Sequence, residues 1–481
     1  MAPIASAGSE LDRLRFENKL LREENAQLRR ATDRIPKLLA RIRALEKSLA
    51  EALRAQRRQA APFSKGPPKA HPRRRGRKPG PDYGTSTRRA TPEEVDEILP
   101  VALPDACVCG GRIRYDHTAQ QFQVEIPRKP IRRRFDIQIG TCRSCGRRIQ
   151  GRHPLQTSDA VGAAASQLGP DAQAMTALLK TKAGVSYGDI RSIFQDFFGI
   201  SLSCGGAAQT VLRVARRAEA AYRGIGEVVY RSRLLYPDET SWKVGGRLRW
   251  MWVFVTRTAT YFVIRETRGY EVLVQVLGAR WSGRITHDGL ASYNLLRNAR
   301  HQQCLGHLIR RAKAMLEVAT GRAARFPQAV LGLLGESLAL RDRRDAGALS
   351  PHGLAVATGR LESRLQQLLD PLPRHPLNHV FAKHLRFHQR EIFPFLKSPQ
   401  QEPTSCQADQ AIRPAVVNRK TFGGNRDPSG ARAQEILSSI VATARQRRVP
   451  IFDYLSRILR APPRDRGKLS CQLLHVPLTP P

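Results

Sequence analysis

The chain has 481 residues, with 81 Lys plus Arg against 41 Asp plus Glu, for a formal net charge of +40. That surplus makes a polyanion the first partner to consider, since neutralising phosphates releases condensed counterions; a supercharged or ribosome-associated surface is the plainer alternative. A hydrophobic fraction of 41% excludes global disorder, and no run of about 18 apolar residues exists to span a membrane.

The N-terminus, MAPIASAGSELDRLR, lacks the basic and apolar regions of a signal peptide, so a cytoplasmic protein is expected. Length alone allows about three domains. Residues 8–60 are predicted to form a coiled coil. Leu14, Leu21, Leu28, Ile35, Ile42 and Leu49 recur every seven residues, and Leu11, Asn18, Asn25, Thr32 and Leu39 stand three positions earlier. Leu at d with Asn at a specifies a parallel pair; one amphipathic helix packing on its own protein is the alternative. Pro36 cannot donate a helical hydrogen bond, so a kink or break is expected there.

Residues 61–92 read as a linker rich in Pro, Gly and Arg. Within it RRRGRKPG, carrying Arg75, Arg77 and Lys78, has the composition of an extended hook for a narrow minor groove, or of an ordinary solvated basic linker. Residues 93–155 carry two cysteine pairs, Cys107 with Cys109 and Cys142 with Cys145, flanking two strand-like stretches, QQFQVEIP and RRRFDIQIG. Four thiolates on two knuckles predict a closed, structural Zn2+ ribbon. Cys204, Cys304, Cys406 and Cys471 are scattered singly, so no disulfide framework is expected. Residues 156–228 have helical spacing broken at Gly184, Gly199 and Gly205-Gly206, either a small DNA-binding unit or a helical linker domain.

From 229 to 460 the pattern changes. Strands are predicted at 233–238, 247–256, 259–266 and 283–288, with a helix at 269–279 before the last. This β-β-β-α-β order is that of a ribonuclease-H-like α/β core. A Leu/Arg-rich helical insertion is expected at about 305–395, and breaks at Pro414 and Gly423-Gly424. Residues 461–481 are expected to be a disordered tail. The fold class is thus multi-domain α+β.

Three carboxylates carry the chemistry. Asp238 ends an apolar run in LLYPDETSW, Asp288 ends another in GRITHDGLASYN, and Asp409 lies in QEPTSCQADQAIRP. Acids at two strand tips and on a later helix are the layout of a site for two divalent ions about 3.5–4 Å apart. Arg413, Arg419 and Lys420 follow the third acid and are candidate phosphate contacts, or a solvated charge run. His301, Cys304 and His307 form HxxCxxH, whose spacing suits one helix face; a structural or DNA-facing role is favoured over metal. His287, beside Asp288, is read as a packing residue before a proton carrier.

DETSWKVGGRLRWMWVF, HDGLASYN, HQQCLGHLIRRAKAM and EPTSCQADQAIRPAVVNRK resemble successive blocks of the IS66 group of insertion-sequence transposases. The coiled coil, the GRKPG linker and the cysteine module follow that group's order, so the resemblance covers nearly the whole chain. It implies a bacterial DDE transposase that binds terminal inverted repeats and joins 3′ ends to target DNA with Mg2+ or Mn2+. It also implies double-stranded DNA as partner, a homodimer or higher assembly, small accessory proteins and a nucleoid location. Asp238 and Asp288 match the group's first two acids. At the third, Ser405-Cys406 replaces a paired Asn, Asp409 stands where Glu is expected, and Gln410 replaces Arg, while Ala411-Ile412-Arg413-Pro414 keeps the pattern. The shorter acid leaves a catalytically weakened or inactive DNA-binding remnant as the alternative. Glu402 and Glu435 are fallback third acids.

Overall fold

The structure is a computed structural model. It describes residues 13–26 and scattered positions to 46, most of 95–156, all of 168–462, and Leu469, Leu473 and Leu474. Two compact units, Met1–Pro68 and Lys69–Pro481, divide the chain. In the first, residues 13–26 are helical and the heptad residues Leu14, Leu21 and Leu28 are exposed. Asn25 spends one amide bond on its own helix, donating to the Leu21 carbonyl at 3.0 Å. The positions flanking Pro36, and Arg75, Arg77 and Lys78 in the second unit, lie outside the described residues.

In the second unit, β1 (Ile139–Thr141) and β2 (Arg148–Gln150) form an antiparallel hairpin. The expected hairpin between the two cysteine pairs is therefore displaced: the second pair lies in the turn itself. Cys142 N–H donates to Arg147 O and Gly146 N–H to Cys142 O, both at 2.9 Å, which closes a knuckle between the two strands.

Four helices follow: α1 (Pro170–Thr181), α2 (Tyr187–Phe198), α3 (Cys204–Arg217) and α4 (Glu219–Arg231). Their starts are written in the sequence. Pro170 opens α1, and the Ser186 and Ser203 hydroxyls accept the N–H groups of Asp189 and Gly206, each at 3.0 Å. Ala174, Val211, Val214, Tyr222 and Ile225 of α1, α3 and α4 share one hydrophobic core with Trp252 and Phe254 of the sheet. The boundary expected near 228 thus runs through a single core.

The central sheet is built from β3 (Leu234–Val244), β4 (Arg247–Val255), β5 (Thr260–Arg265), β6 (Arg284–His287) and β7 (Arg300–Gln303), in the order β5-β4-β3-β6-β7. The first three strands pair antiparallel, and β6 and β7 add parallel to β3. Helix α5 (Tyr270–Leu277) makes the crossover to β6. Period-two alternation sorts β4 cleanly. Trp252 and Phe254 face the helical core, while Met251, Val253 and Val255 face a second core with Ala408, Ile412 and Ala415.

Between β7 and that second face lies an insertion of α6 (Leu305–Val318), α7 (Arg325–Asp345), α8 (Pro351–Leu369) and α9 (Pro376–Phe387), with a hydrophobic core of its own. The chain returns as α10 (Cys406–Phe422), α11 (Pro428–Gln446) and α12 (Ile451–Arg460). The break expected at Pro414 is absent: α10 runs through it with Pro414 exposed, and packing by Ile412 and Ala415 on either side holds the helix. The tail also departs from expectation. Leu473 is fully buried in the main core, with Leu469 and Leu474 against it.

The α10–α11 connector clasps the end of β3. Asn425 N–H donates to Lys243 O at 2.9 Å, Gly245 N–H to Asn425 O at 3.0 Å, and Trp242 Nε1 to Asn425 Oδ1 at 2.7 Å. Gly424 has φ +128°, and a Cβ there would fall 2.2 Å from the Lys243 carbonyl oxygen. Gly424→Ala should therefore destabilise the fold by about 1–3 kcal/mol, measured by urea unfolding; an unchanged midpoint would show that the clasp carries no load.

Candidate active site

The arrangement begins with β3, whose successive side chains face different cores. Tyr236 and Trp242 point toward α10 and Leu235 points toward the helical core, so Asp238 lies on the α10 side and Glu239 on the other. Asp238 is not at the strand tip, as its position after an apolar run predicts. It sits mid-strand opposite Val253, because β3 continues to Val244 as the partner of β4. It does lie just past the parallel pairing with β6, which ends at Leu235 opposite Ile285. Asp288 directly follows β6, as expected, and its Oδ1 accepts Leu290 N–H at 3.0 Å. Asp409 occupies the first turn of α10, where a helix N-terminus favours a carboxylate.

These three acids share one electrostatic field. Burial raises the Asp238 carboxyl, and Glu239, Asp409 and Asp288 add repulsion, so its pKa is pushed up to about 7 despite the Glu239 N–H bond. Among the described residues no three His, Cys, Asp or Glu side chains are gathered closely enough to hold a metal ion. Arg310 Nη2 lies 3.7 Å from Asp409 Oδ2. The donor set nevertheless suits a hard divalent cation: three carboxylates from separate elements, one destabilised by the charge of the others.

The zinc expectation finds no assembled site. Cys109 is exposed and is not clustered with Cys142 and Cys145 among the described residues, and Cys107 lies outside them.

Both fallback acids are engaged elsewhere. Glu435 is buried on α11, where Oε1 accepts Ile264 N–H at 2.6 Å and Arg265 Nη1 at 2.7 Å, and Oε2 accepts Arg432 Nη1 at 2.6 Å. Glu402 has an exposed side chain 3.9 Å from Arg341, and its N–H donates to the Tyr236 hydroxyl at 2.9 Å. Of the basic residues after the third acid, Arg413 is exposed and Lys420 half-buried. Arg419 instead donates from Nη1 to Thr240 Oγ1, Ser241 O and Ser241 Oγ at 2.6–2.8 Å, so it braces β3 against α10.

His287 is fully buried, and its Nδ1 accepts Gly289 N–H at 3.1 Å. Its Nε2 therefore carries the proton and donates to His301 Nδ1 at 3.0 Å, and His301 Nε2 donates to Leu296 O at 3.1 Å. Burial, with His301 beside it, pushes His287 down to about 3, so it is a neutral packing residue at pH 7. The HxxCxxH run does not share one helix face: His301 is on β7, Cys304 caps α6 and His307 lies in its first turn.

Four neighbours, Glu239, Arg268, Tyr293 and His384, carry no sequence signal of their own. Glu239 accepts Arg268 Nε at 2.7 Å and the fully buried Tyr293 hydroxyl at 2.7 Å, and burial raises it despite both. His384 of α9 arrives beside Gly289, where a Cβ would fall 2.8 Å from its Cε1. Burial and then His388 hold its pKa down at about 4. Nothing in the α9 pattern marks it as a neighbour of Asp288.

A family model described as Transposase IS66 family matches residues 165–433, more than half of the chain. The chain belongs to that family. It is thus a transposase in the general sense, and the matched span holds Asp238, Asp288, Asp409 and the whole insertion. No curated protein matches it significantly, and among the described residues no helix of the transposase is long and apolar enough to cross a membrane.

The raised Asp238 has a stability consequence. Its carboxyl holds a proton in the folded chain up to about pH 7 and in the unfolded chain only to about the ordinary aspartate value of 3.8. The unfolded state therefore binds fewer protons between those values, and stability falls as pH rises through that window. Asp238→Asn should raise the melting temperature at pH 8 in metal-free buffer, with the gain shrinking as pH drops toward 4. Parallel pH profiles for the two proteins would refute the assignment.

Proposed function

We propose that this transposase cuts and joins DNA ends in a divalent-metal-dependent reaction, on a core of ribonuclease-H-like topology. The observation that carries the reading is the placement of Asp409 on α10 and Asp288 after β6 near enough to Asp238 to add their repulsion to a carboxyl that burial and Glu239 already push up, to about 7 in all. Strand order β5-β4-β3-β6-β7, with three antiparallel strands and two parallel additions, supports the topology. Asp238, Asp288 and Asp409 would hold Mg2+ or Mn2+, which when bound polarises the scissile phosphate and lowers the pKa of water.

The chain's own residues then have distinct tasks. The carboxylate of Asp238, fixed by the Glu239 N–H bond at 2.9 Å, stays on a rigid central strand. Asp288 is tied to its loop through Leu290 N–H. Water is the nucleophile for cleavage and the freed 3′ hydroxyl for joining, each displacing an oxygen from phosphorus in line. Exposed Arg413 and half-buried Lys420 are candidates to meet the DNA phosphates, since Arg can engage two oxygens at once. The helical region and the basic linker with Arg75, Arg77 and Lys78 would add end binding. The exposed heptad leucines at 14, 21 and 28 suit self-association, and small accessory proteins belong to the same family-based reading.

A second reading, a DNA-binding remnant that no longer cleaves, draws on two observations. The three acids are not gathered into a metal-holding cluster among the described residues, and Asp409 lies near Arg310. Cleavage of labelled element ends in Mg2+ separates the readings. Asp238→Ala and Asp288→Ala should fall to background while still shifting end DNA in a gel, and Asp409→Glu should cleave at least as well as wild type. Wild-type cleavage that persists in either alanine variant would refute the assignment; a wild type inert in both Mg2+ and Mn2+ would establish the remnant.

A further inference from the structure

Cys304 is enclosed where three segments meet: the end of β7, the start of α6 and the stretch leading into α10. Its N–H donates at 2.7 Å to the carbonyl of His287, the residue before Asp288. Its Sγ accepts the N–H of Ser405 at 3.2 Å. Ser405, the cap of α10, in turn accepts the N–H of Asp409 at 3.1 Å. Leu305 N–H donates to Pro403 O at 2.9 Å as a parallel strap. Two hydrogen bonds at one residue thus connect the chain just before the second acid to the cap of the helix that carries the third.

His307 lies in the first turn of α6 beside the thiol: its N–H donates to the Cys304 carbonyl at 3.1 Å, it lies in the field of both Asp288 and Asp409, and its Nδ1 is buried without a partner. Burial alone would raise the Cys304 thiol, but the bonds from His307 and Ser405 outweigh it and bring the thiol below its ordinary value. The Cys304 bond raises His307 in return, against its burial.

We propose that Cys304 and His307 form a clamp of positioning residues that fixes the segments carrying Asp288 and Asp409 against each other, so that a divalent cation meets ordered ligands. The clamp rests on the metal-dependent reading above. Neither residue is a ligand in it: they act through the His287 carbonyl and the α10 cap. Second-layer partners of this kind govern affinity, because a ligand that wanders must be re-ordered each time the ion binds.

The test uses full-length protein without DNA, Mn2+ alone as probe, and the thermal unfolding midpoint as readout. Mn2+ should stabilise wild type and leave Asp288→Ala unmoved. Cys304→Ala should need about tenfold or more Mn2+ for half the shift, whereas Cys304→Ser, whose hydroxyl can still accept the Ser405 N–H, should stay near wild type. If Cys304→Ala reaches half its shift at the wild-type Mn2+ concentration, the clamp is overturned, even where its metal-free midpoint is lower. Should Cys304→Ala fail to fold, His307→Ala, which keeps the thiol, is judged by the same two outcomes. If wild type and Asp288→Ala respond alike to Mn2+, the metal-dependent reading fails first, visibly apart from the clamp, and the clamp falls with it.

Discussion

β3 is enclosed on both faces and by both neighbours, and two acids stand on it side by side. Asp238 turns toward α10 and Glu239 toward the helical core, so neither can share the other's partners. The two are handled differently. Glu239 is supplied with Arg268 and Tyr293, a buried charge with its lone pairs satisfied, as stability demands. Asp238 receives one backbone N–H and the repulsion of two more carboxylates. A folded protein keeps such an unbalanced charge where function needs it.

The elements around β3 serve that imbalance. Parallel β6 brings Asp288 to its side by ending one residue earlier, and the Asn425 clasp with the Arg419 brace pins α10 along the strand. The insertion contributes from outside the sheet, with His307 on α6 and His384 on α9 both in the field of Asp288. It is anchored to the strand ends by Gln303 of β7, which donates to Glu391 Oε2 at 2.9 Å, and by Gln302, which donates to Ile392 O at 2.9 Å. It is therefore tied to the same strand ends that carry the acids.

Much of this was legible in the residues. Alternation and apolar runs located all four predicted strands of the sheet and the crossover helix, since those segments are buried on both faces and leave dense patterns. The place of Asp288 directly after β6 was legible as the end of an apolar run. Other features could not be read. The length of β3 past Asp238 is set by pairing with β4, through residues such as Lys243 and Thr240 that have no apolar signature. Pro414 looked like a break because local rules ignore the packing of Ile412 and Ala415. The tail looked disordered by composition, yet Leu473 finds a core that joins Leu459 and Ile458 of α12 to residues as distant in sequence as Tyr222 and Trp252. His384 and the bonds of Cys304 depend on how the insertion folds back, which no local pattern encodes.

The central claim is that Asp238, Asp288 and Asp409 form one cation site. Crystals soaked in Mn2+ and measured at the manganese absorption edge test it most directly. The account predicts anomalous density between β3, the end of β6 and the first turn of α10, with Asp238 among its ligands and Arg310 displaced from Asp409. Density confined to other carboxylates, or none at Mn2+ concentrations that support cleavage, would contradict it.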